Sequence, residues 1–292
     1  MPVNVSGYER TVYATWKMSY DLLDEHAKKM LWLLAYLQRD RITVEIFRRA
    51  ATRTTKFKPI LPLSDIDQDA LNETNSYLSS FLRSDGAWDL DLFLTMMAEI
   101  QSCSLISFDR ANETYELHTL VQEWIRTVIP YSSQMALAQS TFLITLPIDE
   151  GKATQDYTFR RSLELHVTAV MERQEHINLA SDTCFGTILN EVGRYEKAKM
   201  LWLRVVESSK EVLGGDCAET LSAMSNLAVT YSDQGLHNQA ETLEVQVLEG
   251  RKRAPHQQKV SSSMWSYIDY IDPHSCNSLC SKVLKYLVYK VA

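Results

Sequence analysis

The sequence lacks a phosphate-binding loop, a disulfide framework and an excess of positive charge. Its nine glycines are dispersed and no G-x-x-x-x-G-K-[ST] motif occurs, which argues against a nucleotide site of the P-loop kind. The five cysteines are scattered and odd in number, so we predict a reducing compartment and no set of disulfides. The net charge of -7 and the pI near 5.6 argue against a nucleic-acid partner, because surfaces that bind phosphates are usually basic.

Long apolar runs are also missing. The first residues, MPVNVSGYERTVY, contain no apolar core of a signal peptide. No stretch of about twenty apolar residues, the length that crosses a bilayer, occurs elsewhere. We therefore predict a cytoplasmic protein with no membrane partner.

Catalytic and metal-binding motifs are equally scarce. Neither G-x-S-x-G nor H-E-x-x-H occurs. His274, Cys276 and Cys280 form an H-x-C-x3-C cluster. Tetrahedral zinc needs a fourth ligand, and no second cysteine pair supplies one. We predict no metal, no cofactor and no enzymatic activity.

What the chain does contain, over residues 8–130, is the pattern of a small helical module with one β-hairpin. Apolar residues at helical spacing predict three helices, the second capped by Asp24 and the third by Thr43. The stretch SLISFDRANETYELH places a polar turn between two apolar segments, which predicts the hairpin. Three helices, a further helix and a two-stranded wing make a winged-helix-like topology.

Two details of this module bear on its function. Residues 52–70 contain two prolines, so we predict an irregular connection in which Asp65 and Asp67 are solvated charges. The helix VEIFRRAATR would be the recognition helix of a DNA-binding winged helix. Its only basic residues are Arg48, Arg49 and Arg53, which is few for reading phosphates in an acidic chain.

The stretch ELHTLVQEWIR predicts the end of the hairpin and the start of a helix that Pro130 stops. His118 stands at the junction. Apolar residues recur on one face of this helix and predict a buried stripe: Leu120, Val121, Trp124, Ile125 and Val128. Four tryptophans on helical apolar faces are likewise predicted to pack in the core: Trp16, Trp32, Trp124 and Trp202.

After a helical connector over residues 131–175, the region 176–255 contains an internal repeat. FGTILNEVGRYEKAKMLWLRVVESS and LAVTYSDQGLHNQAETLEVQVLEGR align without a gap at a period of 42 residues. Gly193 matches Gly235 in a predicted turn, where a positive φ is tolerated. Small residues on both predicted helices allow close approach: Gly186 and Ala228 on the first helices, Ala198 and Ala240 on the second.

These two units resemble tetratricopeptide repeats of the kinesin-light-chain type, α-α hairpins that bind protein or peptide ligands. Asp216, Thr220 and Leu221 match that family's inter-repeat consensus, while Cys217 and Ala218 replace its usual His-Pro. The resemblance implies that Asn226, on the inner helix of the second repeat, binds peptide backbone. Cys184 stands at the equivalent position of the first repeat, so no asparagine ladder is present.

The order of winged helix, His-x-Leu-Val junction and repeats resembles the C-terminal part of fungal NOD-like (STAND) proteins, in which an NB-ARC ATPase precedes the winged helix. The resemblance implies that His118 contacts the β-phosphate of bound ADP. The stricter form of that motif has Asp where this chain has Thr119, and the chain has no nucleotide domain. Local hydrogen bonding or packing beside Trp124 is the alternative role, and we favour it over the sensor.

We therefore predict a non-enzymatic protein–protein interaction module, a fragment or remnant of a STAND receptor. One alternative is a winged-helix DNA-binding regulator whose repeats sense a ligand. Another is half of a nucleotide switch that works with a separate NB-ARC chain. Residues 256–292 diverge from the repeat, and their C-terminal part predicts one amphipathic helix that caps the array, with Leu279, Val283, Leu284, Leu287 and Val291 on its apolar face.

Overall fold

The computed structural model describes residues 7–148, 154–173 and 178–253, which are mainly helical with one antiparallel hairpin. This confirms the prediction of a mainly α fold with a small hairpin. The tail and the His274, Cys276 and Cys280 cluster lie outside the described residues. The elements are, in chain order, α1 (Gly7–Asp21), α2 (Glu25–Leu34), α3 (Val44–Arg53), α4 (Asp65–Ser79), α5 (Leu90–Ser102), β1 (Ser107–Asp109), β2 (Thr114–Glu116), α6 (Thr119–Val128), α7 (Ser133–Thr145), α8 (Thr154–Ser162), α9 (Glu164–Met171), α10 (Leu179–Glu191), α11 (Tyr195–Leu213), α12 (Ala218–Asp233) and α13 (His237–Arg253).

The chain divides into two compact units. The first comprises α1 to α7, the hairpin and α9, and the second comprises α8 and α11 to α13. The division falls within α10, after Ser181. The region predicted as a helical connector, 131–175, is therefore shared between the two units.

Helix α7 lies at the centre of the first unit, where it contacts α2, α3, α4 and α9. Its sequence, SQMALAQSTFLIT, is apolar or small on every side, and all residues from Ala136 to Thr145 are buried. The buried hydroxyls do not remain unpaired. Ser140 donates to the Leu33 carbonyl at 2.9 Å, and Thr145 donates to the Thr141 carbonyl at 2.8 Å. A helix can be buried on all sides only when its polar groups are satisfied in this way.

The start of α2 confirms the predicted cap. Asp24 precedes the helix with an extended backbone, and its carboxylate accepts a hydrogen bond from the Ala27 amide at 2.7 Å. Thr43 stands at the same position before α3, but its side chain makes no capping hydrogen bond. Thr43 is therefore a cap by position only.

The prediction that Asp65 and Asp67 lie in a loop is wrong, because both belong to the first turn of α4. Ser64 caps this helix, and its hydroxyl accepts from the Asp67 amide at 3.2 Å. Acidic side chains in a first turn are favoured by the partial positive charge of the helix N-terminus. The serine and the two acids together are a helix-start signal that outweighs the preceding prolines.

The hairpin has the predicted position. Its two strands are antiparallel, and Phe108 pairs with Tyr115. Tyr115 also exchanges backbone hydrogen bonds with Ile42, its amide donating to the Ile42 carbonyl at 2.8 Å. The segment between α2 and α3 thereby joins the edge of the hairpin. Glu113, in the turn, adopts a positive φ of 54°.

Helix α6 buries Val121, Trp124 and Ile125 as predicted, but Leu120 is 44% exposed. The prediction that Leu120 belongs to the core is therefore wrong, and Val128 is only partly buried. The buried face instead includes Gln122. Its side-chain amide donates to the carbonyls of two residues at the end of α2, Leu34 at 3.2 Å and Leu37 at 2.8 Å. The Leu34 carbonyl also accepts from the Leu37 amide at 3.2 Å, so the glutamine adds a side-chain donor to the carbonyls at this helix end.

The two hairpins of the second unit are closed as the repeat predicts. Gly193 and Gly235 have φ of 79° and 78°, and each follows the first helix of its hairpin. The amide after each glycine donates back into that helix, from Arg194 to the Leu189 carbonyl at 2.7 Å and from Leu236 to the Tyr231 carbonyl at 2.8 Å. This is the helix-ending pattern that requires a left-handed residue, and glycine adopts it without strain.

Gly186 provides the close approach expected between α10 and α11. A Cβ atom at this position would lie 2.8 Å from Cε2 of Trp202, whose side chain is 2% exposed. The indole ring therefore packs directly on the backbone of α10. In the second hairpin the same pair of positions holds Ala228 and Glu244, so the two repeats fill this space differently.

Candidate peptide-binding helices and the His118 junction

Helices α10 and α12 are the first helices of the two hairpins. Asn190 near the end of α10 donates from Nδ2 to Oδ2 of Asp233 at the end of α12, at 2.8 Å. Neither helix contains a lysine or an arginine. The surface that these helices offer a ligand is therefore neutral to acidic.

Asn226 lies in the middle of α12 and is partly exposed. Its backbone carbonyl accepts from the Thr230 hydroxyl at 3.0 Å. Within the described part of the chain, no hydrogen bond engages its side-chain amide. An asparagine amide offers both donors and an acceptor, the groups that pair with a peptide backbone. Cys184, its counterpart on α10, is also partly exposed.

Asp182 is a functional candidate that sequence reasoning missed. Its side chain is completely buried in α10, and a carboxylate oxygen lies 2.9 Å from Nη2 of Arg204. Burial raises the pKa of Asp182 from 3.8 to about 7, although Arg204 opposes this shift. Extending the period of 42 upstream of the two aligned segments pairs Asp182 with Met224, an apolar residue that could have indicated a buried position.

We expect the Asp182→Asn variant to be more stable than the wild type at pH 8, by about 1–3 kcal/mol. An acid whose pKa is raised on folding stabilises the protein below its ordinary pKa, and this contribution is lost as the pH rises through about 7. Removing the charge removes that loss, and Arg204 is exposed enough to be solvated. Urea unfolding between pH 5 and pH 8 measures the effect. Equal slopes of stability against pH in both proteins would contradict it.

His166 is a second buried titratable group, and its contribution to stability depends on pH with the opposite sign to that of Asp182. Burial in α9 lowers the pKa of His166 from 6.5 to about 4, and its Nε2–H donates to the Arg41 carbonyl at 3.2 Å. Its contribution is complete above pH 6.5 and is lost as the pH falls through about 4. A loss of stability on the alkaline side therefore does not come from His166.

A second group that the sequence did not reveal is the buried ion pair between Arg160 on α8 and Glu191 at the end of α10. Nη2 of Arg160 lies 2.6 Å from Oε1 of Glu191, and Nε donates to both carboxylate oxygens at 3.0 Å. The two side chains are only 7% and 10% exposed. Glu191 is the repeat counterpart of Asp233, which Asn190 engages in turn. Glu191 therefore bonds to α8, and Asp233 bonds to α10, the first helix of the preceding hairpin.

His118 is exposed and caps α6. Its backbone is extended, and Nδ1 of its ring accepts from the Leu120 amide at 3.2 Å. The imidazole thus makes the local hydrogen bond that was the alternative to a phosphate contact. Arg39 also reaches this helix start, where its guanidinium donates to the Thr119 hydroxyl.

Two of the three arginines of α3, Arg48 and Arg49, bond to Glu45 of the same helix. Arg48 donates from Nε to Glu45 at 2.6 Å, and Nε of Arg49 lies 2.5 Å from the same carboxylate. Glu45 therefore offsets one of the three positive charges that α3 would present to phosphate groups.

Among residues 7–148, 154–173 and 178–253, no group of three or more His, Cys, Asp or Glu side chains is placed to hold a metal ion. None of the helices formed by these residues is both long and apolar enough to cross a membrane.

Comparison with known families gives one match. Residues 178–253, which comprise α10 to α13, match the tetratricopeptide repeat family. No curated protein and no solved structure matches the chain. This match supports the prediction of tetratricopeptide repeats in this part of the chain, and the matched family is a non-catalytic protein-interaction repeat.

Proposed function

We propose that the repeats bind an extended peptide of a partner protein along α10 and α12, and that the chain has no enzymatic activity of its own. The observation that carries this proposal is the partly exposed Asn226 amide, which no described residue engages, on the first helix of a tetratricopeptide hairpin. Repeat arrays of stacked helix pairs use such extended surfaces for binding.

The composition of these helices restricts the kind of peptide. Because α10 and α12 contain no lysine or arginine, they offer no cation for a C-terminal carboxylate or an acidic side chain. We infer that recognition uses hydrogen bonds to the peptide backbone. Amidation of the peptide's C-terminus should then leave its affinity nearly unchanged.

Replacing Asn226 with alanine is expected to weaken peptide binding about tenfold, the effect of losing one or two hydrogen bonds to the backbone. A peptide that binds the full chain is first selected from a peptide library. Fluorescence anisotropy with this peptide then measures the affinity of each variant. Asn238→Ala is the matched control, because Asn238 is an exposed asparagine on the second helix of the same hairpin. The proposal fails if both variants bind as the wild type does.

We also propose that the chain derives from a cytoplasmic STAND receptor, with an NB-ARC domain in the same or a separate chain as its partner. The order of helices, hairpin, His118 junction and repeats supports this origin. The first unit would then be its winged helix, with α3 engaged in its Glu45 contacts and no role in DNA binding.

The His118 geometry leads us to expect that the chain alone does not bind ADP or ATP. Its Nδ1 is occupied by the Leu120 amide, and the sequence contains no phosphate-binding loop. Isothermal titration calorimetry with each nucleotide tests this expectation. Binding at micromolar concentration would show that His118 and its surroundings form a nucleotide site without the ATPase.

A further inference from the structure

Arg126, in the last turn of α6, is a cation that the fold pairs only in part. Its Nε donates to the Ala35 carbonyl at the end of α2, at 2.6 Å. Among the described residues, neither terminal nitrogen of its guanidinium has a hydrogen-bond acceptor, although Nη2 is buried. A buried donor of a charged group is unfavourable without an acceptor, so this side chain is suited to meeting an anion.

Tyr36 holds the guanidinium of Arg126 in place. The guanidinium carbon lies 5.3 Å from the centroid of the Tyr36 ring, at which distance a cation is attracted to the aromatic face. Tyr36 is 7% exposed, and within the described part of the chain its hydroxyl makes no hydrogen bond. The hydroxyl is therefore available as a further donor beside the guanidinium.

Arg173, just after α9, brings a second cation to the same place. Its side chain is exposed, and its Nη1 donates to the Ala169 carbonyl at 3.3 Å. Burial and the charge of Arg173 lower the pKa of Arg126. Burial raises the pKa of Tyr36, and the charges of Arg126 and Arg173 both oppose that shift. The three side chains are therefore close neighbours within the first unit.

The charges at this place do not balance. Glu123, one turn before Arg126 on α6, is the acid that acts on Arg126, but it is exposed and forms no ion pair with Arg126. Two guanidinium groups thus face one solvated carboxylate. Guanidinium groups donate paired hydrogen bonds to phosphate oxygens, and two of them match the charge of a phosphate group better than that of a single carboxylate.

We propose that Arg126, Arg173 and Tyr36 form a binding site for a phosphate group, either the free ion or a phosphate carried on a protein side chain. Arg126 is the positioned donor, Tyr36 orients it and adds its hydroxyl, and the exposed Arg173 closes on the bound anion. The site is separate from the His118 junction, because Arg126 lies eight residues further along α6, about 12 Å along the helix axis.

The dependence of stability on phosphate tests the site in the full chain. For a dissociation constant on the order of 1 mM, about 20 mM inorganic phosphate should lower the unfolding equilibrium constant of the first unit about twentyfold, relative to sodium chloride of equal ionic strength. Urea unfolding followed by tryptophan fluorescence measures this, since four of the six tryptophans belong to the first unit.

Arg173→Ala should reduce the effect of phosphate to about threefold, because the loss of one guanidinium weakens binding about tenfold. Arg173 is the residue to change, since Arg126 also bonds to the end of α2. Arg110→Ala is the matched control. Arg110 is exposed in the turn of the hairpin, so this change removes the same charge from the same unit and should keep the full effect. Equal responses of the two variants, or a wild type that responds to phosphate no more than to chloride, would overturn the proposal.

Two further probes identify the chemistry and the source of the anion. Acetate at the same ionic strength should change the unfolding equilibrium constant less than about twofold, since a carboxylate engages only one guanidinium. A response to acetate as large as that to phosphate would overturn the assignment. Tighter binding of O-phosphoserine than of inorganic phosphate supports a phosphate carried on a protein side chain, and the reverse order supports the free ion.

Discussion

Replacing Trp202 with alanine is expected to lower the free energy of unfolding of the repeat unit by about 3–5 kcal/mol, the cost of deleting a large buried side chain. The indole is 2% exposed and rests on the backbone of α10 at Gly186. Its loss leaves a cavity that the glycine cannot fill. Urea unfolding, followed by the far-UV circular dichroism signal of the helices, measures the change.

The neighbouring residue provides a control for this experiment. Leu203 is 43% exposed, so Leu203→Ala should change the stability by no more than about 0.5 kcal/mol. Gly186→Leu should be destabilising in the wild type, because a Cβ there lies 2.8 Å from the indole. The same change should be stabilising in Trp202→Ala, where it fills the cavity. Gly186→Leu with the same sign in both backgrounds would contradict the packing.

Breaking the buried ion pair should have an effect of similar size. Glu191→Ala leaves the guanidinium of Arg160, 7% exposed, without its carboxylate in a dry environment. Removing one partner of such a pair costs about 3–5 kcal/mol. Adding Arg160→Met to Glu191→Ala should recover much of the stability, because the double variant buries no unpaired charge.

An exposed pair in the same unit is the control for the buried one. Arg253 and Asp216 form two hydrogen bonds, but their side chains are 59% and 45% exposed. Asp216→Ala should therefore leave the unfolding midpoint nearly unchanged, since surface ion pairs contribute little. If Glu191→Ala is as harmless as Asp216→Ala, then α8 is not anchored to the repeats.

This anchor bears on the length of the array. Glu191 forms a buried ion pair with Arg160 of α8, and its repeat counterpart Asp233 accepts a hydrogen bond from Asn190 of α10, so the end of each first helix contacts an earlier helix. Two hairpins alone are fewer than the three repeats usually needed for a stable array. The preceding helix α8 extends the packing on the side of the first hairpin through the Arg160–Glu191 pair.

The features that the sequence predicted correctly are those that local chemistry determines. Asp24 caps α2 through an amide three residues away, and Gly193 and Gly235 end their helices with a positive φ. The period of 42 residues predicted both hairpins. Gly186 was predicted to permit close packing, although the pattern did not say that Trp202 would fill the space.

The features that the sequence did not predict depend on partners that are distant in the chain. The buried Gln122 donates to the carbonyls of Leu34 and Leu37, at and just beyond the end of α2, and these lie 88 and 85 residues away in the chain. Arg160 and Glu191 are charged residues that the fold brings together and buries. Their spacing of 31 residues follows no helical or strand period, so the sequence does not indicate the pair. For Ser64 and the first turn of α4, by contrast, the helix-start signal is local, and the preceding prolines do not interrupt the helix because they lie before its cap.

The central claim is that the repeats bind a peptide through α10 and α12. Hydrogen–deuterium exchange on the full chain, with and without a peptide selected from the peptide library, tests this claim most directly. The claim predicts slower amide exchange in α10 and α12, strongest in the helical turn of α12 that contains Asn226, with no change in α3 or α6. Protection confined to α3, or to α6 beside His118, would contradict it.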